Sequence, residues 1–165
     1  MSYKWRILCT VHGWVYGWAD TPITICPIEA SDLVDLSTTV QVGREIETFV
    51  LTPTVFQIKN SNYNRVSSVV YNSDINGTLS RVKVMSYMDS GLTSYNVEVY
   101  DRTNNVSLVN ATFTNTGDIS EQNVGLIATP PDGKVTIEIN VKCTGASNKY
   151  ANISQIIFYT RKENE

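Results

Sequence analysis

Apolar and polar residues alternate with a period of two along most of the chain, and the 3.6-residue period of a helix is scarcely seen. The cleanest run is "VTIEINVKC". Val135, Ile137, Ile139, Val141 and Cys143 fall on one face, and Thr136, Glu138, Asn140 and Lys142 on the other. "TSYNVEVYDRTNN" sets Tyr95, Val97 and Val99 against Asn96, Glu98 and Tyr100. "TLSRVKVMSYMDSG" carries Leu79, Val82 and Val84 with a phase slip that predicts a bulge. "VSSVVYN", "VSLVNATFTNTG" and "ISQIIFYTRK" read as further strands. "ETFVLTPTVFQIKN" reads as two strand pieces, Phe49 and Leu51 then Val55 and Ile58, around a proline break. "ISEQNVGLIATPPDGK" reads as a link that ends in a Pro-Pro-Asp-Gly turn. Seven or eight short strands at this spacing predict an all-β chain, an antiparallel, jelly-roll-like β-sandwich over residues 48–165.

Residues 1–47 read differently. Trp5, Ile7, Cys9 and Val11 alternate, then Trp14, Tyr16 and Trp18, with His12 and Gly13 between the two sets. That pattern predicts a hairpin. "ADTPITICPIEASD" comes next, and Pro22 and Pro27 make it an extended strap at a sheet edge or in a loop. "EASDLVDLSTTVQVG" has room for one helical turn capped by Ser31, and Gly43 punctuates the chain before the charged "REIE".

Composition narrows the function classes. Only 18% of the residues are charged, and the polarity comes from Asn, Ser and Thr, which suit turns and strands. Net charge is −3 and no Lys/Arg run occurs, which argues against nucleic acid as a partner. No segment has the apolar length of a membrane span. The opening "MSYKWRILCTVHGW" lacks a signal-peptide core, which points to synthesis in a reducing compartment.

Candidate chemistry concentrates in the opening stretch. A Cys–His nucleophilic pair would need His12, the single histidine, to activate Cys9 or Cys26, and no third orienting group is evident. Cys9, His12 and Cys26 supply three zinc ligands, with Asp32 or Cys143 as a possible fourth. The paired-cysteine knuckle of structural zinc sites is missing, however. A Cys9–Cys26 disulfide would need an oxidising setting. Cys143 lies on the apolar face of its strand and reads as a small buried hydrophobe. Asp74, Asp89, Asp101, Asp118 and Asp132 adjoin turns, where turn chemistry places them without catalysis. Asn76, Asn105, Asn110 and Asn152 open N-x-S/T triplets, which arise by chance in a chain so rich in these residues. The expectation is therefore no catalytic, cofactor or metal site. Trp14, Tyr16 and Trp18 share one parity, so on a strand they face one side. They are either core packing or an exposed strip for a sugar ring or a neighbouring subunit, and Gly13 and Gly17 leave space beside the rings.

"KWRILC", "VYGWAD" and "TPITICP" together resemble an N-terminal module of virion proteins from marine bacteriophages and large double-stranded DNA viruses. "YNVEVYDRTNN…ATFTNTG" and "PDGKVTIEINVKCTG" are similar to the β-sandwich that often follows it. In that family the Cys-Pro turn is followed by a histidine. Here that place falls near Asp32, a departure that counts against a metal site. The resemblance implies a non-enzymatic structural protein of the virion, a minor capsid, capsid-associated or spike component assembled in the host cytoplasm. Its partners would be other virion proteins or further copies of itself, with a trimer suggested by analogy with spikes. Trp14, Tyr16 and Trp18 are then the expected partner contacts. The alternative is a carbohydrate- or receptor-binding fibre head that binds a host glycan. Its candidate platforms are Trp14 or Trp18 near Asp20, and Tyr87 with Asp89.

Overall fold

The computed structural model describes residues 2–51, 56–59, 61–146 and 148–163. Among them are eleven strands and one helical turn. In chain order these are β1 (Tyr3–Cys9), β2 (Gly13–Ala19), β3 (Val34–Leu51), β4 (Phe56–Ile58), β5 (Asn64–Asn72), α1 (Ser73–Asn76), β6 (Thr78–Met88), β7 (Leu92–Asp101), β8 (Val106–Phe113), β9 (Ser120–Leu126), β10 (Lys134–Gly145) and β11 (Ala151–Glu163). The chain is all-β and sandwich-like. It folds as two units, Met1–Ile46 with Arg161–Glu165, and Glu47–Thr160.

The second unit holds the sandwich. One antiparallel sheet runs β5-β10-β7-β8; in the other, β6 lies between β11 and β9, and β4 pairs with β11. Facing residues of both sheets form the core. Val135, Ile137, Ile139, Val141 and Cys143 of β10 meet Leu79, Val82 and Val84 of β6 and Ile153, Ile156 and Phe158 of β11. Each fully buried aliphatic side chain contributes about 1.5–3 kcal/mol, which makes this cluster the main source of stability. Its polar atoms are satisfied internally. The Tyr95 hydroxyl lies 2.7 Å from Ser86 Oγ and 2.6 Å from Asn115 Oδ1, and the Tyr71 hydroxyl donates to the Gly77 carbonyl.

Two expectations are corrected here. The stretch 119–134 is not only a link, since it contains β9. That strand lies at a sheet edge and is mostly polar, so its alternation is faint. The strand count agrees with the expectation: β4 to β11 are eight strands. The bulge signalled in β6 falls on its partner: Val82 faces Gly125 and Lys83 faces Asn123, which leaves Val124 of β9 as the extra residue. Val55 and the proline break before it lie outside the described residues.

In the first unit β1 pairs with β2 on one side and with β3 on the other. No helical turn forms after Ser31. The Ser31 hydroxyl bonds Glu29 Oε1, and β3 begins at Val34, where β-branched Val and Thr favour extended backbone. Gly43 does not end an element either. It lies inside β3 opposite Lys4, beside a bulge that leaves Val42 between the partners of Lys4 and Trp5. Among the described residues, the inner face of this unit buries Ile7, Cys9, Val15 and Cys26, with Ile23 and Val34 packed against them.

Candidate functional site

Cys9 closes β1 and pairs with Gly13, so Thr10, Val11 and His12 form a three-residue turn. Gly13 takes the positive φ, +71°, that such turns require. The turn brings His12 Nδ1 to 3.6 Å from Cys9 Sγ and aims the backbone N–H groups of Val11 and His12 at that sulfur.

Cys26 arrives from the irregular segment between β2 and β3. Gly17 of β2 makes this possible, because a Cβ there would stand 3.2 Å from Pro27 Cγ. The glycine thus serves the inner face of the hairpin and not, as expected, the face that carries the rings. Cys26 Sγ is also 3.6 Å from His12 Nδ1.

Asp32 is placed by two local ties. Its N–H donates to the Glu29 carbonyl (3.0 Å), and the Leu33 carbonyl accepts both the N–H (3.0 Å) and the hydroxyl (3.1 Å) of Thr10. Asp32 Oδ2 then lies 3.1 Å from His12 Nδ1. One ligand atom from each of Cys9, His12, Cys26 and Asp32 falls in a group whose members are all within 4.8 Å of one another. The two cysteines are 1% and 2% exposed, while His12 and Asp32 form the rim. Burial works against a charged Cys9. The N–H groups of His12 and Val11 and the side chains of Cys26 and His12 outweigh it and bring the thiol down to about 7.

His12 does meet a nucleophile, as a hydrolase reading required. The arrangement is nevertheless unlike a catalytic relay. In a relay the base uses one ring nitrogen toward the nucleophile and the other toward the carboxylate. Here Cys9, Cys26 and Asp32 all crowd Nδ1, and both thiols are buried.

The opposite face of the hairpin carries the aromatic row. Trp14 is 49% exposed and Tyr16 52%, and Trp18 is half-buried. The core-packing alternative therefore does not describe Trp14 and Tyr16, whose parity sets them opposite Ile7, Cys9 and Val15. Lys4 Nζ stands 5.1 Å from the Tyr16 ring centroid, Arg6 Cζ 4.5 Å from Trp14, and Arg161 Cζ 4.6 Å from Trp18.

Neither a family model nor a curated protein matches the chain. Among solved structures, a chain from infectious bursal disease virus, Gx strain, is similar to it at 10% identity with a TM-score of 0.46. The match covers 91% of this chain and 38% of that neighbour's length.

The remaining candidates have structural duties. The Asp89 carboxylate accepts from the Tyr150 N–H (3.0 Å) and Asn152 Nδ2 (3.3 Å), which ties it to the start of β11. Cys143 lines a cleft of about 460 Å³ with Lys59, Ser61 and Lys142. Burial pushes its thiol up, and it donates to the Ile58 carbonyl at 3.1 Å, so it is held protonated.

Proposed function

We propose that this protein is a non-enzymatic structural component of a virion, and that it acts through protein–protein contacts made by its first unit. One observation carries the reading. Among the described residues, seven of the thirteen exposed large hydrophobic side chains lie in residues 1–46: Val11, Trp14, Tyr16, Ile25, Ile28, Leu33 and Leu36. Exposed apolar surface gathered in this way marks an interaction site, and rigid aromatics beside Arg are the residue types that anchor one. β2 ends its sheet, so its outer backbone edge is also available for pairing. The resemblance of "KWRILC", "VYGWAD" and "TPITICP" to a virion module supplies the kind of partner, another protein of the particle. The buried thiol of Cys9 and the protonated thiol of Cys143 favour a non-enzymatic role.

The test is incorporation. Particles assembled with the Trp14→Ala/Tyr16→Ala chain in place of the wild type should contain little or none of it. The variant's circular dichroism should match that of the wild type. A folded double variant incorporated at the wild-type level would overturn the reading. Glycan-array binding by the wild type, lost in the same variant, would replace it with the fibre-head alternative.

A further inference from the structure

We propose that Cys9, His12, Cys26 and Asp32 bind one zinc ion as a closed, structural metal centre. This inference stands independently of the assembly reading, because it concerns the inner face of the hairpin and the assembly reading concerns the outer one.

The convergence on a single atom is the first argument. Cys9 Sγ, Cys26 Sγ and Asp32 Oδ2 lie 3.6, 3.6 and 3.1 Å from His12 Nδ1. A ring nitrogen has one proton or one lone pair, so it satisfies one of these three neighbours by hydrogen bonding, not all. A cation among the four atoms satisfies every one of them at once.

The distances form the second argument. Zinc sits about 2.3 Å from sulfur and about 2.0–2.1 Å from nitrogen or oxygen, and a tetrahedron with those arms has S···N edges of about 3.6 Å and N···O edges of about 3.3 Å. The observed S···N separations equal the first figure, and the N···O separation is a few tenths of an ångström below the second. The ligand set is of the right chemistry. Two thiolates favour zinc over magnesium or calcium, and imidazole and carboxylate are its ordinary companions. All four positions are filled by protein, which is the arrangement of structural zinc rather than catalytic zinc.

Local context supplies the third. On binding, Cys9 and Cys26 each release a proton, the neutral His12 ring binds through Nδ1, and Asp32 binds as carboxylate, so the centre carries one net negative charge. The N–H groups of Val11 and His12 already point at Cys9 Sγ, the outer-shell support that a metal thiolate uses. Among the described residues, the inner cluster of this unit has four buried hydrophobic members, two of them these cysteines. A cluster of that size commonly relies on a metal or a disulfide staple. The irregular segment from Asp20 to Leu33 gains an anchor at each of two points, Cys26 and Asp32.

The full chain, purified from zinc-supplemented expression, should carry one zinc per molecule by native mass spectrometry and elemental analysis. Cobalt(II) exchanged into the site should show thiolate charge-transfer absorption and the intense visible bands of tetrahedral coordination. Cys26→Ser should lose the metal, Asp32→Asn should bind it at least tenfold more weakly, and Cys143→Ser should keep it. If Cys26→Ser fails to fold, alkylation of the wild type decides instead. Cys9 and Cys26 should resist iodoacetamide until a strong chelator is added, and then react. Metal-free wild-type chain with three free thiols, a Cys9–Cys26 disulfide in that preparation, or zinc retained in a folded Cys26→Ser variant would each overturn the proposal.

Discussion

Arg6 is paired across the hairpin with Tyr16, yet its guanidinium carbon stands over Trp14, 4.5 Å from the ring centroid. Lys4 repeats the offset: it is paired with Trp18 and stands over Tyr16. Each cation leans two pairs toward the turn, and the ring left over, Trp18, is covered by Arg161. An exposed cation–π contact contributes about 0.5–1 kcal/mol. Trp14→Ala should therefore lower Tm by only about 1–4 °C in a chain of this size. Scanning calorimetry checks this. A drop several times larger would mean that the ring supports the core.

The Tyr95 hydroxyl joins Ser86 and Asn115 in the sandwich interior, and Ser86 is wholly buried. Removing it leaves the buried Ser86 hydroxyl short of a partner and takes one from the half-buried Asn115 carboxamide. Tyr95→Phe should cost about 1–3 kcal/mol, read as a lower urea midpoint with an unchanged slope.

Gly145 has φ +129°, and a Cβ there would sit 2.7 Å from Thr93 N and 2.8 Å from Leu92 Cα. The clash is with backbone, which cannot swing aside. Gly145→Ala should destabilise by at least about 2 kcal/mol, visible in thermal melts or as loss of soluble protein. Gly133, also at positive φ, has open space around it and should lose less on the same change, since only the backbone term remains.

Cys143 has its thiol pushed above the ordinary value of 9.0 by burial. The folded state then holds its proton more tightly than the unfolded chain does. The stabilisation is fully present below the unfolded pKa and is lost as pH rises through the folded one. The stability advantage of wild type over Cys143→Ala, measured by chemical denaturation, should be level from about pH 6 to 8 and shrink above pH 9. A constant difference across that range would contradict the assignment.

The sandwich is legible in the sequence because its strands obey one simple rule. Val135 to Cys143 alternate so regularly that burial on one face is their only economical arrangement, and β10 buries that whole set. The hairpin is legible for the same reason, with Gly13 marking the turn. The four-residue cluster is legible only in part. Cys9, His12 and Cys26 stand out as residue types, but their meeting depends on Pro27 nesting against Gly17 and on Thr10 bonding Leu33, contacts with no local signature. The paired-cysteine knuckle is absent, yet the hairpin loop from Thr10 to His12 brings a histidine to the cysteine that closes β1. Asp32 departs from the histidine expected at its place, although a carboxylate is itself a zinc ligand. β9 is faint in the sequence because it ends its sheet and most of its residues are polar.

Arg161 and Trp18 come from opposite ends of the sequence, yet they belong to the same unit. A ribosome delivers Trp18 about 140 residues before Arg161. Until Arg161 emerges the hairpin's third ring has no lid, and the contact that covers it carries the closure cost of a long loop. The aromatic face is thus completed only after the chain that forms the sandwich has been made. A polypeptide interrupted before β11 would show a different surface from the finished one, and a partner that reads this face could tell the two apart.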